Sequence, residues 1–273
     1  MTAERPDVIA DLARRPGRAS RDQVFLGAAL ALSSVAALAV LAARFVYSGT
    51  AGYAFMVWNL FLAWIPLALA LPIRFDRCRG RRGIAVAAAL AFLWLLFFPN
   101  APYLLTEFQH LHPQHAVGAR PIRLLSSVSP VRGVPLWYDV LLLLLFAWNG
   151  LLLGFVSLRI VQRAVSRRAG AAWGWVTVVL VLGLSGFGVS IGRFERWNSW
   201  DLLTRPHHLL SDVFARVADP LSHPRTAAAT VGLAAFLLLA YLTLIALMRL
   251  HRGAALREAA GGARPPGRRA SFP

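Results

Sequence analysis

The chain has 273 residues, 58% of them hydrophobic, and a formal net charge of +17. About 120 residues fall in long apolar runs, which leaves no room for a large soluble domain. All basic residues are arginines, and most lie between the apolar runs. This distribution indicates membrane topology, and it argues against the nucleic-acid binding that the same charge would suggest in a soluble protein.

Six apolar runs predict six transmembrane helices. A helix needs roughly 20 apolar residues to cross the hydrocarbon core, and all but one of the runs reach about that length; the exception, 84–98, ends at Pro99. The runs do not alternate apolar and polar residues as barrel strands do, so the predicted fold is all-α, an integral membrane bundle. The predicted spans are 24–43, 53–71, 84–98, 136–158, 172–192 and 228–248.

The arginines are distributed unequally between the two sides of this bundle. If the N-terminus is cytoplasmic, the cytoplasmic segments hold 20 of the 29 arginines in 73 residues, and the outer segments hold nine in 81. The positive-inside rule therefore predicts that both termini are cytoplasmic. Residues 1–23 are then a polar, basic N-terminal segment and 249–273 a disordered basic tail, with some contact to anionic lipid.

The first long outer segment begins with FFPNAPYLLTEFQHL, residues 97–111. Pro99 and Pro102 should break the third helix near the outer surface. Beyond them, the spacing of the apolar residues over 104–111 predicts a short amphipathic helix. Most of its polar residues, Glu107 among them, are expected on the side opposite the apolar stripe. Such a helix would lie at the membrane interface.

The second long outer segment spans 193–220. Asn198 can cap a helix that begins near Ser199, and a second amphipathic pattern follows Pro206. Both pieces are too short and too charged to cross the membrane, so interfacial helices are predicted here as well.

Polar residues gather at the outer end of the predicted bundle. Intramembrane polar groups are costly and tend to face a bundle interior or a cavity, so an outward-facing pocket for a polar or anionic ligand is predicted. The alternative is structural: Asp139 would pair with Arg193 or Arg196 and hold helices together. The candidate ligand-binding residues are Asn59, Asn100, Tyr103, Glu107, His110, Asp139, Asn149, Arg193, Arg196, Asn198 and Asp201.

Catalytic and metal-binding patterns are less specific. Glu107 and Asp139 are candidate general bases. Glu107 and His110 share a helix face as metal ligands can, but no zinc signature is completed by His112 and His115, and solvated histidines are the simpler interpretation. No cofactor is predicted, and the glycines around 188–192 fit close helix packing.

Three blocks carry a family resemblance: FPNAPYLLTEFQHL, PLWYDVLLLLLFAWNGLLLGFVSL and GRFERWNSWDLL. In this order they resemble the polytopic bacterial membrane proteins catalogued as domain of unknown function 1361. The resemblance covers about residues 50–250 and implies a multi-pass protein of the bacterial inner membrane. It implies no activity.

Three functions are compatible with the sequence. The first is binding or transport of a polar or anionic ligand, such as a lipid headgroup, in the outer pocket. The second is an enzyme acting on a lipid-linked substrate, with Glu107 or Asp139 as base and Arg193 or Arg196 holding phosphate. The third is a structural partner in a membrane complex. The lipid bilayer is the one partner common to all three.

Overall fold

A computed structural model of the protein describes residues 16–73, 80–111, 134–194, 204, 206–219 and 222–261. In these ranges the chain is helical apart from short turns, and they contain no strand. The elements in chain order are α1 Pro16–Ser48, α2 Phe55–Ala70, α3 Gly80–Phe97, α4 Asn100–Tyr103, a 3₁₀ helix Leu104–Leu111, α5 Leu136–Ala169, α6 Ala171–Phe194, α7 Pro206–Ala218 and α8 Pro224–Gly261.

Five segments are long and apolar enough to cross a membrane. They are Arg21–Ser48, Gly80–Leu111, Leu136–Ala169, Ala171–Arg193 and Pro224–Leu250. Many large apolar side chains on them are exposed, as expected where lipid takes the place of water. The prediction of an all-α membrane bundle is therefore confirmed.

Helix α2 differs from the other predicted spans in its length. It has 16 residues, which is roughly 24 Å of helix, against a hydrocarbon core of about 30 Å. The number of crossings and the cytoplasmic position of the termini stay predictions.

Several helices extend beyond the predicted apolar runs. Helix α5 continues to Ala169 through a segment predicted as a cytoplasmic loop, and only Gly170, at φ +97°, separates it from α6. Helix α8 continues to Gly261, past the expected limit at 248. Arginine, alanine and glutamine are good helix formers, so a helix can extend beyond the apolar residues that cross the membrane.

Helix α5 packs against α1, α2, α4, α6 and the 3₁₀ helix. Its glycines let the broken end of the third span lie directly on its backbone. A Cβ atom at Gly150 would collide with the carbonyl oxygen of Ala101, and one at Gly154 would lie 3.2 Å from the Ala101 Cβ. On α6, Gly188 packs against Pro99. Small residues thus fix where α4 and the 3₁₀ helix sit.

The two prolines break the third span where predicted, but the segment after them differs from the prediction. Residues 104–111 form a 3₁₀ helix instead of an amphipathic α-helix. With about three residues per turn, residues three apart stack on one face. Leu104 and Glu107 therefore both face the bundle and are buried. The expectation that Glu107 lies opposite the apolar stripe is wrong.

Helix α7 occupies the segment after Pro206 in which a helix was predicted, and its Phe214 is exposed. The helix predicted near Ser199 lies outside the described residues.

Candidate functional site

The buried charges of the candidate site lie at one end of the bundle, where α1, α3 and α6 finish and α2 and α5 begin. They form two groups. The Glu107 cluster consists of Asn59, Tyr103, Glu107, His110 and Arg193. The Asp139 pair consists of Arg44 and Asp139.

Glu107 is the centre of the first group, and its side chain is 1% exposed. Its Oε1 accepts a hydrogen bond from Asn59 Nδ2 at 2.9 Å. Its Oε2 lies 3.1 Å from Arg193 Nη2 and 2.9 Å from His110 Nδ1. Both carboxylate oxygens are thus occupied by donors from three other side chains, so Glu107 is not free to act as a general base on a substrate.

Arg193 joins α6 to the broken third span. Its Nη1 donates to the Tyr103 hydroxyl at 3.0 Å, and its Nη2 donates to the Thr106 carbonyl at 2.9 Å. The guanidinium carbon lies 5.2 Å from the Tyr103 ring centroid. Its Nε is buried and has no hydrogen-bond partner among the described residues. Such orphaned donors are rare in folded proteins and often mark an absent water, ion or ligand.

His110 is the exposed member of the cluster, with 38% of its side chain accessible. Its Nδ1 lies 2.9 Å from Glu107 Oε2 and 3.4 Å from Arg193 Nη2. Because a guanidinium can only donate, the shorter contact assigns the Nδ1 proton to the carboxylate. Nε2 then takes part in neither contact. The rings of Phe55 and Tyr53 lie at 5.0 and 6.5 Å from the imidazole.

The second group is a buried ion pair. Arg44 Nε lies 2.6 Å from Asp139 Oδ1, and each side chain is 1% exposed. Arg44 Nη2 donates to Asp139 Oδ2 at 3.2 Å, which makes the pair bidentate. Arg193 contacts Glu107 and not Asp139, whereas the predicted alternative of Asp139 with Arg196 falls outside the described residues and stays a prediction. Buried on all sides, Asp139 lacks the access that a general base needs.

Arg44 is the residue that the sequence did not assign to the site. It follows the first predicted span, where an arginine is usually a membrane anchor, and no local motif links it to α5. Its guanidinium carbon also lies 4.4 Å from the Tyr53 ring centroid. Since Tyr53 contacts His110 as well, its ring stands between the two groups.

Two other candidate asparagines, Asn149 and Asn100, make structural contacts. Asn149 is fully buried, accepts a hydrogen bond from Ser34 and donates to the carbonyls of Ser33 and Leu145. Asn100 Nδ2 donates to the Phe97 carbonyl at the end of α3. These contacts join α1 to α5 and finish a helix, as interhelical polar groups do in membranes.

Other candidates lie outside the described residues: Arg196, Asn198, Asp201, His112 and His115. Within the part of the chain that the structure describes, no group of three or more potential metal ligands comes together.

The site as described can hold an anion or move a proton through His110. A carboxylate fixes one imidazole nitrogen, and an arginine with an unused donor lies beside it. The other arginine and carboxylate, Arg44 and Asp139, are already neutralised by each other in a dry contact.

Comparison with known proteins gives a family and no activity. No curated protein and no solved structure matches the chain. A family model described as "Protein of unknown function (DUF1361)" matches residues 58–241, which include most of α2, all of α3 to α7 and every residue of the Glu107 cluster. The resemblance drawn from the three sequence blocks is confirmed, and the chain belongs to this family of unknown function.

Proposed function

We propose that this membrane protein binds an anionic group, such as the phosphate of a lipid headgroup, at the Glu107 cluster. The observation that carries the proposal is the buried, unpartnered Nε of Arg193 beside the exposed ring of His110. An anion would supply the acceptor that Nε lacks.

The position of the cluster in the bundle supports this. Tryptophans prefer the level of the lipid headgroups, and Trp58 and Trp137 near this end are exposed. An arginine here would meet headgroup phosphates without crossing the hydrocarbon core. Guanidinium groups suit phosphate because their donors match its oxygens in pairs.

The contrast with the Asp139 pair limits the proposal to one of the two groups. A bidentate pair with 1% exposure on both sides is not accessible to a ligand. Its role in this proposal is to hold α1 against α5.

The test is binding of glycerol 3-phosphate, a headgroup without chains, to the purified full-length protein in detergent. We expect Arg193→Ala to weaken binding roughly tenfold or more, because a charge-assisted hydrogen bond contributes about 1.5–3 kcal/mol and about 1.4 kcal/mol is a factor of ten. Arg193→Lys should be intermediate, since it keeps the charge and loses the planar donors.

Arg225→Ala is the matched control, because Arg225 is an exposed arginine at the start of α8. It should bind like the wild type. Calorimetry would reject the proposal if the wild type and Arg193→Ala bound with equal affinity. Thermal unfolding curves would show that both proteins are folded.

A second candidate is an enzyme acting on a lipid-linked phosphate. The observation in its favour is the 2.9 Å contact between His110 Nδ1 and Glu107, because a carboxylate-oriented imidazole with a free Nε2 is a general-base arrangement. His110→Gln separates the two functions. An enzyme would lose turnover of a lipid phosphate ester and keep binding, whereas a binding protein has no turnover to lose.

A further inference from the structure

A groove opens on the outside of the bundle between α3 and α6. It encloses about 250 Å³. Phe92, Leu95 and Pro99 line it on one side and Leu184 and Ser185 on the other. Phe92 and Leu184 are also exposed, so the groove faces the surroundings of the bundle, which in a membrane are lipid chains.

Ser185 is the polar exception in this apolar groove. Its side chain is buried, and its hydroxyl has no hydrogen-bond partner among the described residues. Five residues later on the same helix, the Ser190 hydroxyl donates to the Gly186 carbonyl at 2.8 Å. Serines in helices commonly make that local bond, so the unpartnered hydroxyl of Ser185 is a distinct feature.

The chemistry of the groove restricts what can fill it. A trapped water needs two to four polar partners, and the groove offers one hydroxyl among apolar side chains. An apolar chain that carries a single acceptor fits both properties. An ester-linked acyl chain has this composition, because its one carbonyl adjoins a run of methylenes.

The groove and the Glu107 cluster both lie along α6. Arg193 follows Ser185 by eight residues, which is about 12 Å along a helix. Between them Gly188 packs against Pro99, and beyond them Arg193 contacts Tyr103 and Thr106. Along α6, the unpartnered Nε of Arg193 thus lies nearer the Glu107 end of the bundle than the unpartnered hydroxyl of Ser185. A phospholipid has its phosphate and its ester carbonyls in the same order.

We propose that the groove holds an ester-linked acyl chain of the same lipid whose phosphate meets Arg193 and His110, with the Ser185 hydroxyl donating to the ester carbonyl. The inference rests on the proposed headgroup site and names its ligand as a diacyl phospholipid with an anionic headgroup.

The test compares two lipids that differ in the linkage alone. Dioleoyl phosphatidic acid and its dialkyl ether analogue share headgroup and chain length, but the ether lacks the carbonyl. We expect the full-length wild type in detergent to bind the ester lipid about fivefold more tightly, the size of one net hydrogen bond. Ser185→Ala should bind both lipids equally. Its thermal stability should be unchanged or higher, because the substitution removes an unsatisfied buried group.

A second variant tests the chain itself. Ser185→Phe fills the groove and should weaken binding of both lipids tenfold or more. Val179→Phe is the matched control, since Val179 lies exposed on the same helix and does not line the groove. It should bind both lipids as the wild type does.

Glycerol 3-phosphate separates this inference from the headgroup site. Its binding should depend on Arg193 and be unaffected by either change at Ser185. Absence of an ester preference in the wild type, or unchanged lipid binding by Ser185→Phe, overturns the acyl-chain site and leaves the headgroup site standing. Loss of the Arg193 dependence with glycerol 3-phosphate overturns the headgroup site.

Discussion

The Asp139 pair and the Glu107 cluster are both arginine–carboxylate contacts at the same end of the bundle, but their surroundings differ. Arg44 and Asp139 are each 1% exposed. Arg193 is 10% exposed, and the cluster adds a histidine at 38%. A charge pair closed from all sides holds helices together, whereas a pair with an exposed titratable neighbour and an unused donor can engage a ligand. Exposure and unsatisfied donors therefore distinguish the two roles better than residue type does.

The largest expected effect comes from breaking the closed pair. Asp139→Ala leaves Arg44 as an uncompensated buried charge, which costs about 3–5 kcal/mol. The free energy of unfolding, measured by denaturation in mixed micelles, should fall by that amount. Replacing both partners, with Arg44→Met and Asp139→Leu together, should restore most of it. An Asp139→Ala protein as stable as the wild type would show that the pair is not a structural contact.

A smaller loss of stability should follow from overpacking the contact between α5 and the broken end of the third span, which carries the Glu107 cluster. Gly150→Ala places a methyl group against the Ala101 carbonyl, and overpacking of this kind costs about 1–3 kcal/mol. Because Ala101 precedes the 3₁₀ helix, affinity for glycerol 3-phosphate should fall as well. Gly183→Ala is the control, since no atom lies within 4 Å of the added methyl. If Gly150→Ala matches this control in both measurements, the broken span does not depend on its contact with α5.

The smallest expected effect is a change in ligand affinity, and whether the affinity rises or falls is informative. Glu107→Gln keeps the shape of the side chain and removes the negative charge beside Arg193. Affinity for glycerol 3-phosphate should rise roughly three- to tenfold, because a nearby like charge no longer opposes the anion. Gln109→Ala, an exposed change on the same 3₁₀ helix, should leave the affinity unchanged. Weaker binding by Glu107→Gln would mean that Glu107 contacts the ligand favourably or positions Arg193 for it.

The helices were predictable because their signal is local. Apolar length alone identified the long helices, and Pro99 and Pro102 marked the break in the third. Helix ends were less predictable, since α5 continues through arginines that prefer water but still favour helix. The direction in which Glu107 points could not be derived, because a period of 3.6 assigns it to the wrong face of a segment with a period of about three.

The residues of the Glu107 cluster could be selected from the sequence, but Arg44 and the pairings between side chains could not. Glu107, His110 and Arg193 were selected from the gathering of polar residues at one end. The contact of Arg44 with Asp139 spans 95 positions in the chain and has no motif. One available signal was overlooked: Gly150 and Gly154 have the small-residue spacing that indicates close packing, and they mark where the broken span rests.

The ring of Tyr53 lies between Arg44 and His110 and so links the Asp139 pair to the Glu107 cluster. Its ring meets the guanidinium at 4.4 Å and the imidazole edge-on at 6.5 Å. We expect a ligand that turns His110 to shift this ring as well and so to change the contact between α1 and α5. Thermal stabilisation of the bundle by an anion should therefore shrink in Tyr53→Leu more than binding itself does; equal losses of both would mean that the ring transmits nothing.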